Sequence, residues 1–261
     1  MNQKGVGAAL KGLPRDSFFI TTKTKPCAEM TEAACSAQAE KEFLQDLSDL
    51  GLDYVDLILL HGASHHGKGA CAKPACTKDL GQWKAYEKLY KAGKAKAIGV
   101  SNYCVSCFEC LVGAPGVTVV PCAPCPLLLT PLEALIRAVG SRAVNQIAFH
   151  VGMGADPEGI VSYSQKHGIK IQAYSPLGDG ALISDAQLKT IGSAMSPAKS
   201  SAQVALKYVL QSGHAVCTKA DNPQYLAEDI DIVSWNLTAP ALAKLTAATT
   251  PAGSPSWACS A

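Results

Sequence analysis

An α/β fold, a parallel sheet with helices packed outside it, is what this 261-residue sequence predicts, and three observations carry the prediction. Short apolar runs alternate with amphipathic helical segments across short connections. One run, Tyr54-Val55-Asp56-Leu57-Ile58-Leu59-Leu60, is apolar almost throughout, the pattern of a parallel strand covered on both faces. Polar residues stand where successive strands end, the position at which barrels and open α/β sheets gather their chemistry.

In chain order, Met1-Asn2-Gln3-Lys4 opens directly into an amphipathic helical pattern, without the apolar core and cleavage site of a signal peptide. The first strand is expected at 17–22 and closes on Thr21-Thr22-Lys23; a helix follows at 33–50. The second strand, 54–60, ends at His61. Residues 62–79 then form a long loop rich in small and basic residues, the kind that carries substrate contacts. A helix at 80–92 leads to a strand at 96–100, closed by Ser101-Asn102, and then to a helix at 104–112. Residues 122–142 read as an extra excursion before the strand at 143–148, which contains Asn145-Gln146. The pattern continues with a helix at 157–167 and a strand at 169–174 that closes on Tyr174-Ser175-Pro176-Leu177-Gly178. A helix at 202–211, a strand at 214–218 and a helix at 223–229 complete it. No fixed-period repeat and no Pro/Gly/Ser-rich linker divides the chain, so a single domain is expected.

Composition narrows the function. A net charge of +2 with 17% charged residues gives no nucleic-acid footprint. The uncharged stretch from Leu111 to Leu132 contains Pro115, Pro121, Pro124, Pro126 and Pro131, a density that rules out a membrane helix. Eleven cysteines, an odd number without a secretory signal, point to reduced thiols in a cytoplasmic protein. Cys104, Cys107 and Cys110, then Cys122 and Cys125, have zinc-like spacing. The first three fall on an expected helix in a chain rich in cysteine throughout, and no metal is expected. A Gly-x-Ser-x-Gly elbow, a P-loop and a Gly-x-Gly-x-x-Gly fingerprint are all absent.

Phe19-Ile20-Thr21-Thr22-Lys23, Leu52-Asp53-Tyr54-Val55-Asp56-Leu57, Leu60-His61 and Lys96-Ala97-Ile98-Gly99-Val100-Ser101-Asn102-Tyr103 occur in that order. Val144-Asn145-Gln146, Ala173-Tyr174-Ser175-Pro176-Leu177-Gly178 and Ala202-Gln203-Val204-Ala205-Leu206-Lys207-Tyr208 follow. This ordered set resembles the aldo-keto reductases, (β/α)8 TIM barrels that reduce carbonyls with a nicotinamide cofactor. The resemblance implies an NAD(P)H-dependent oxidoreductase, with a small-molecule aldehyde or ketone as its partner and neither nucleic acid nor membrane. Oligomeric state leaves no mark on the sequence.

The resemblance also implies roles. His61 orients the carbonyl and donates a hydrogen bond to its oxygen, and Lys23 lowers the pKa of a catalytic Tyr. Ser101, Asn102 and Gln146 hold the nicotinamide carboxamide, Tyr174 stacks on its ring, and Ser175 and Leu177 line the pyrophosphate path. Lys219 meets a 2′-phosphate and Glu228 the adenine, which implies NADPH. Ala220, Tyr225 and Asp229 stand where the family has Ser, Arg and Asn, and Asp221 adds negative charge, so NADH is also expected to bind. The family's general-acid Tyr and the Asp beside its Lys lie upstream of the helix with which this chain begins. The implied fold is therefore a barrel over residues 1–248 truncated by about two N-terminal strands, with 122–142 as an insert and 249–261 as a flexible tail. A non-catalytic, nucleotide-binding or regulatory remnant on the same scaffold is the alternative.

Overall fold

The computed structural model describes residues 2–28, 31–64, 76–112, 114–118 and 143–256. The expected insert at 122–142 with Cys122 and Cys125, residues 65–75 of the expected loop and 257–261 of the expected tail lie outside them. Among the described residues six strands follow in the order β1-β2-β3-β4-β5-β6: Thr21–Thr24, Val55–Leu60, Ala95–Ser101, Ala143–Ala148, Lys170–Tyr174 and Ala215–Val216. The pairs β1–β2, β2–β3 and β5–β6 are parallel. The helices are α1 Gln3–Leu10, α2 Glu32–Leu50, α3 Cys76–Lys91, α4 Val105–Glu109 and α5 Ile160–Lys166. They continue with α6 Ala186–Ser193, α7 Ser201–Gln211, α8 Pro223–Asp231 and α9 Ala239–Thr246. The chain forms two compact units. The first holds the described residues up to Asn145 with Lys166–Ile169; the second holds Gln146–Gln165 and Lys170–Ser256.

In the first unit, α2 shows how local chemistry sets an element. The Thr31 side chain accepts the Ala34 N–H at the N-terminus, satisfying one of the orphan donors of the first turn. Cys35, Ala39, Phe43, Leu47 and Leu50 bury one face at helical spacing. Gly51 stops the helix at φ 67°, a conformation glycine adopts without strain, and Leu52 N–H returns to the Leu47 carbonyl. The chain then enters β2, whose six residues are all buried, as the apolar run requires.

The parallel register decides which side chains share a face. Thr21 pairs with Leu57 and Lys23 with Leu59, while Leu57 pairs with Ala97 and Leu59 with Gly99. Because side chains alternate along a strand, Leu57, Leu59, Ala97 and Val144 form one buried apolar cluster. Gly99 is required there, since a Cβ would run into the Val144 carbonyl and the Leu59 side chain. Continuing the same alternation past that cluster brings Lys23, His61 and Ser101 to the C-terminal ends of β1, β2 and β3.

The N-terminal ends of these strands carry a different cluster. Arg15 stacks on the Tyr54 ring at 4.0 Å and donates to Asp56 at 2.7 Å, while Lys96 lies 4.4 Å over the same ring. Tyr54 is thus held at the end of the sheet opposite His61.

In the second unit, Cys217 N–H donates to Ala173 O and Phe149 N–H to Tyr174 O, extending the ladder around β5. A reciprocal capping box between Ser200 and Gln203 starts α7. Phe149 stacks on Tyr208 of α7 and meets His214 edge-on at 4.8 Å. Residues 249–256 of the C-terminal segment lie against the loop after β4. Ala148 N–H donates to Pro255 O, Gly152 closes on Thr250 and Pro251, and Ser256 is buried.

The expectation of reduced thiols is not met. Cys27–Cys35 and Cys76–Cys110 are disulfides, and Cys104 and Cys107 are disulfide-bonded as well. Spacing alone does not reveal these pairs, because the bonded residues approach only once β1, α2, α3 and α4 have packed. Among the described residues no group of three or more His, Cys, Asp or Glu is placed to hold a metal, and no helix is long and apolar enough to cross a membrane.

Candidate active site

Three strand ends of the first unit converge in one hydrogen-bonded group. Lys23 Nζ donates to Ser101 Oγ at 3.3 Å, and Asn102 Nδ2 donates to the same oxygen at 3.1 Å. Asn102 Nδ2 also donates to the backbone carbonyl of His61 at 3.0 Å, while His61 N–H donates to Thr24 O at 2.9 Å. Ser101 and Asn102 are buried, and Asn102 adopts φ 60°, a left-handed backbone that asparagine tolerates better than most residues. Strain of this kind persists where surrounding structure over-determines it, as at binding sites.

His61 is half-buried. Burial, and then the positive charge of Lys23, push its imidazole below the ordinary histidine range. It is therefore neutral near pH 7 and presents one ring N–H. Tyr86 and Tyr103 of the same unit are buried completely, and both phenols are pushed up by desolvation first. Neither can meet a substrate.

A second tier supports the group. Gln82 on α3, itself buried, donates from Nε2 to Lys25 O at 2.8 Å and accepts the Cys27 N–H at 3.1 Å. It also accepts the Ser64 hydroxyl at 3.1 Å, and the buried Asp79 accepts Ser64 N–H at 2.9 Å. Two side chains of one helix thus tie the segment after Lys23 to the segment after His61. The sequence reading leaves both out. The available signal was a Gln and an Asp on the inward face of an amphipathic helix.

In the second unit, Gln146 donates from Nε2 to Gln172 Oε1 at 2.6 Å. Tyr174 ends β5, half-buried, with its phenol pushed up by burial and then by Asp179. Ser175 has φ 48°, so among the described residues two of the four non-glycine residues with positive φ are residues singled out from the sequence. Leu177 precedes the 3-10 turn at Gly178–Ser184 and is half-buried. Lys219 is exposed and pairs with Asp221 at 3.1 Å. Glu228 on α8 accepts the Ser200 hydroxyl at 2.7 Å and Gln224 Nε2 at 3.4 Å. The structure thus gathers Lys23, His61, Ser101 and Asn102 in the first unit, and places Gln146, Tyr174, Ser175, Leu177, Lys219 and Glu228 in the second.

A family model for the aldo/keto reductase family matches residues 1–249. Glyoxal reductase of Bacillus subtilis is 32% identical over 238 residues, covering 90% of this chain and 71% of that protein. An NADPH-dependent alpha-keto amide reductase of Saccharomyces cerevisiae is 29% identical over 257 residues, covering 93% and 69%. Among solved structures, an aldo-keto reductase from a Medee basin deep-sea metagenome library is similar with TM-score 0.75, covering 98% of this chain and 81% of that one. At 24% identity that likeness shows the fold: an α/β chain of the (β/α)8 barrel type. With the family model spanning nearly its whole length, this chain belongs to the aldo/keto reductase family.

Proposed function

We propose that the protein is an NAD(P)H-dependent oxidoreductase that reduces the carbonyl of a small aldehyde or ketone. The Lys23–Ser101–Asn102–His61 group carries the reading, because it brings a cation and an imidazole that feels its charge to the same strand ends. Reduction of a carbonyl builds negative charge on oxygen, and preorganised donors at that point are the largest single source of rate enhancement in such sites. His61 donates to the carbonyl oxygen and fixes its orientation. The Lys23 ammonium offsets the charge that develops there, and the resulting alkoxide takes a proton from solvent water to give the alcohol.

The donor set suits a nicotinamide cofactor. In the first unit a hydroxyl, Ser101, and a carboxamide, Asn102, match the hydrogen-bonding needs of an amide group; in the second unit Gln146 offers a carboxamide of the same kind and the Tyr174 phenol a ring face. When bound, the reduced nicotinamide supplies the hydride. Ser175 and Leu177 follow Tyr174 along the pyrophosphate path, Lys219 meets a 2′-phosphate and Glu228 the adenine. The Saccharomyces relative is named for NADPH, and the Bacillus relative for glyoxal, a small carbonyl compound.

Asp221 beside Lys219 competes with a 2′-phosphate for the ammonium, and Tyr225, exposed on α8, supplies no cation. NADPH and NADH are therefore expected to bind within about tenfold of one another, as measured by cofactor fluorescence. A preference for NADPH of about a hundredfold or more contradicts this part of the reading. The activity itself is tested by following consumption of NADPH with a series of simple aldehydes. Aldehyde-dependent oxidation supports the reading, and cofactor binding without turnover refutes it.

A further inference from the structure

We propose that Cys76–Cys110 is a thiol–disulfide exchange site whose oxidised form holds the catalytic loops in place. This rests on the activity proposed above. The bond links the first residue of α3 to the residue that follows α4, 34 positions away. The chain it closes contains β3 with Ser101 and Asn102, and a cross-link over a long segment restrains the chain more than one over eight positions, as in Cys27–Cys35. The first two turns of α3 carry Asp79 and Gln82, which grip Ser64 after His61 and Lys25 and Cys27 after Lys23. Anchoring the start of α3 therefore anchors both loops.

Accessibility separates Cys76–Cys110 from Cys27–Cys35. Cys27 and Cys35 are both buried, whereas Cys76 is only half-buried beside the exposed Thr77. Of these four cysteines Cys76 is the least buried, and its Sγ is the one a dithiol reductant attacks. One thiolate of the reductant attacks that sulfur, forming a mixed disulfide and releasing the Cys110 thiolate. Its second thiol, as thiolate, then attacks the mixed disulfide and releases the Cys76 thiolate, which a helix N-terminus favours. Two electrons pass to the protein, the two cysteines take up two protons, and the reductant leaves as a cyclic disulfide.

The test treats the full chain with dithiothreitol under native conditions, alkylates the freed thiols, maps them by mass spectrometry, and follows amide hydrogen exchange at Ser64 and Cys27. Cys76 and Cys110 are expected to be alkylated while Cys27 and Cys35 stay protected, and exchange at the two amides is expected to quicken. The rate of aldehyde-dependent NADPH oxidation should fall about ten- to a hundredfold and return on reoxidation. The Cys76→Ser/Cys110→Ser double variant should show the low rate with or without dithiol. Failure of Cys76 and Cys110 to be reduced, or reduction with unchanged amide exchange, overturns the proposal. So does a dithiol effect on rate that persists in the double variant. Absence of turnover in both redox states counts against the proposed activity instead, and exchange at Ser64 and Cys27 still decides the disulfide.

Discussion

Lys23, His61 and Ser101 come together through the two-residue period of a strand and the register of two parallel pairs. Their types and their positions at strand ends are local properties, which is why a sequence reading finds them. Gln82, Asp79 and Ser64 escape such a reading because their bonds span 15 to 57 residues, and no short window records a partner that far away. Cys76–Cys110, 34 residues apart, escapes for the same reason, whereas Cys27–Cys35, only eight apart, escapes because spacing does not disclose oxidation state. Substituting Lys23→Met or His61→Phe is expected to lower kcat/KM for an aldehyde by about 100- to 10,000-fold while cofactor binding persists, read by steady-state kinetics and fluorescence. The state of His61 also gives a pH prediction. Its folded pKa lies below the unfolded value, so the native state binds fewer protons, and its contribution to stability is complete above about pH 6.5. That contribution is lost as the pH falls through the depressed folded value. His214, pushed down by burial, adds a second contribution of the same sign. Urea denaturation should show stability falling from pH 7 to pH 5, and a His214→Phe variant should show a shallower fall.

Among elements, the long periodic ones were legible and the short ones were not. The stripe from Cys35 to Leu50 and the unbroken run of β2 are visible because burial repeats many times within one element. The first strand begins at Thr21, four residues beyond its expected start at 17. Arg15–Ser17 takes a 3-10 turn instead, with the Ser17 hydroxyl on Pro14 O and Arg15 on Phe18 O. Helix α3 begins at Cys76 rather than at 80, since the buried Asp79 lies inside its first turn and masks the apolar pattern. Helices α6 and α9 have eight residues each and only one or two fully buried positions, too few for a period to stand out. Two substitutions probe this scale. Gly99→Ala forces a Cβ onto the Val144 carbonyl and should cost about 1–3 kcal/mol in denaturant unfolding. Thr31→Ala removes the cap of α2 and should cost about 1 kcal/mol.

At the scale of the whole molecule, the order of motifs identified the family, because the order of strand ends is the order in which a barrel of this type assembles its chemistry. Lys23 and His61 lie in the first unit; Gln146, Tyr174 and the Lys219–Asp221 pair lie in the second. The central claim is that these residues serve carbonyl reduction. Its most direct test is NADPH oxidation by the purified, oxidised chain with and without glyoxal, beside the Lys23→Met and His61→Phe variants. Glyoxal-dependent oxidation is expected in the parent chain, and both variants should lose it while still binding NADPH. Oxidation that proceeds undiminished in either variant, or none in the parent chain across simple aldehydes, would contradict it.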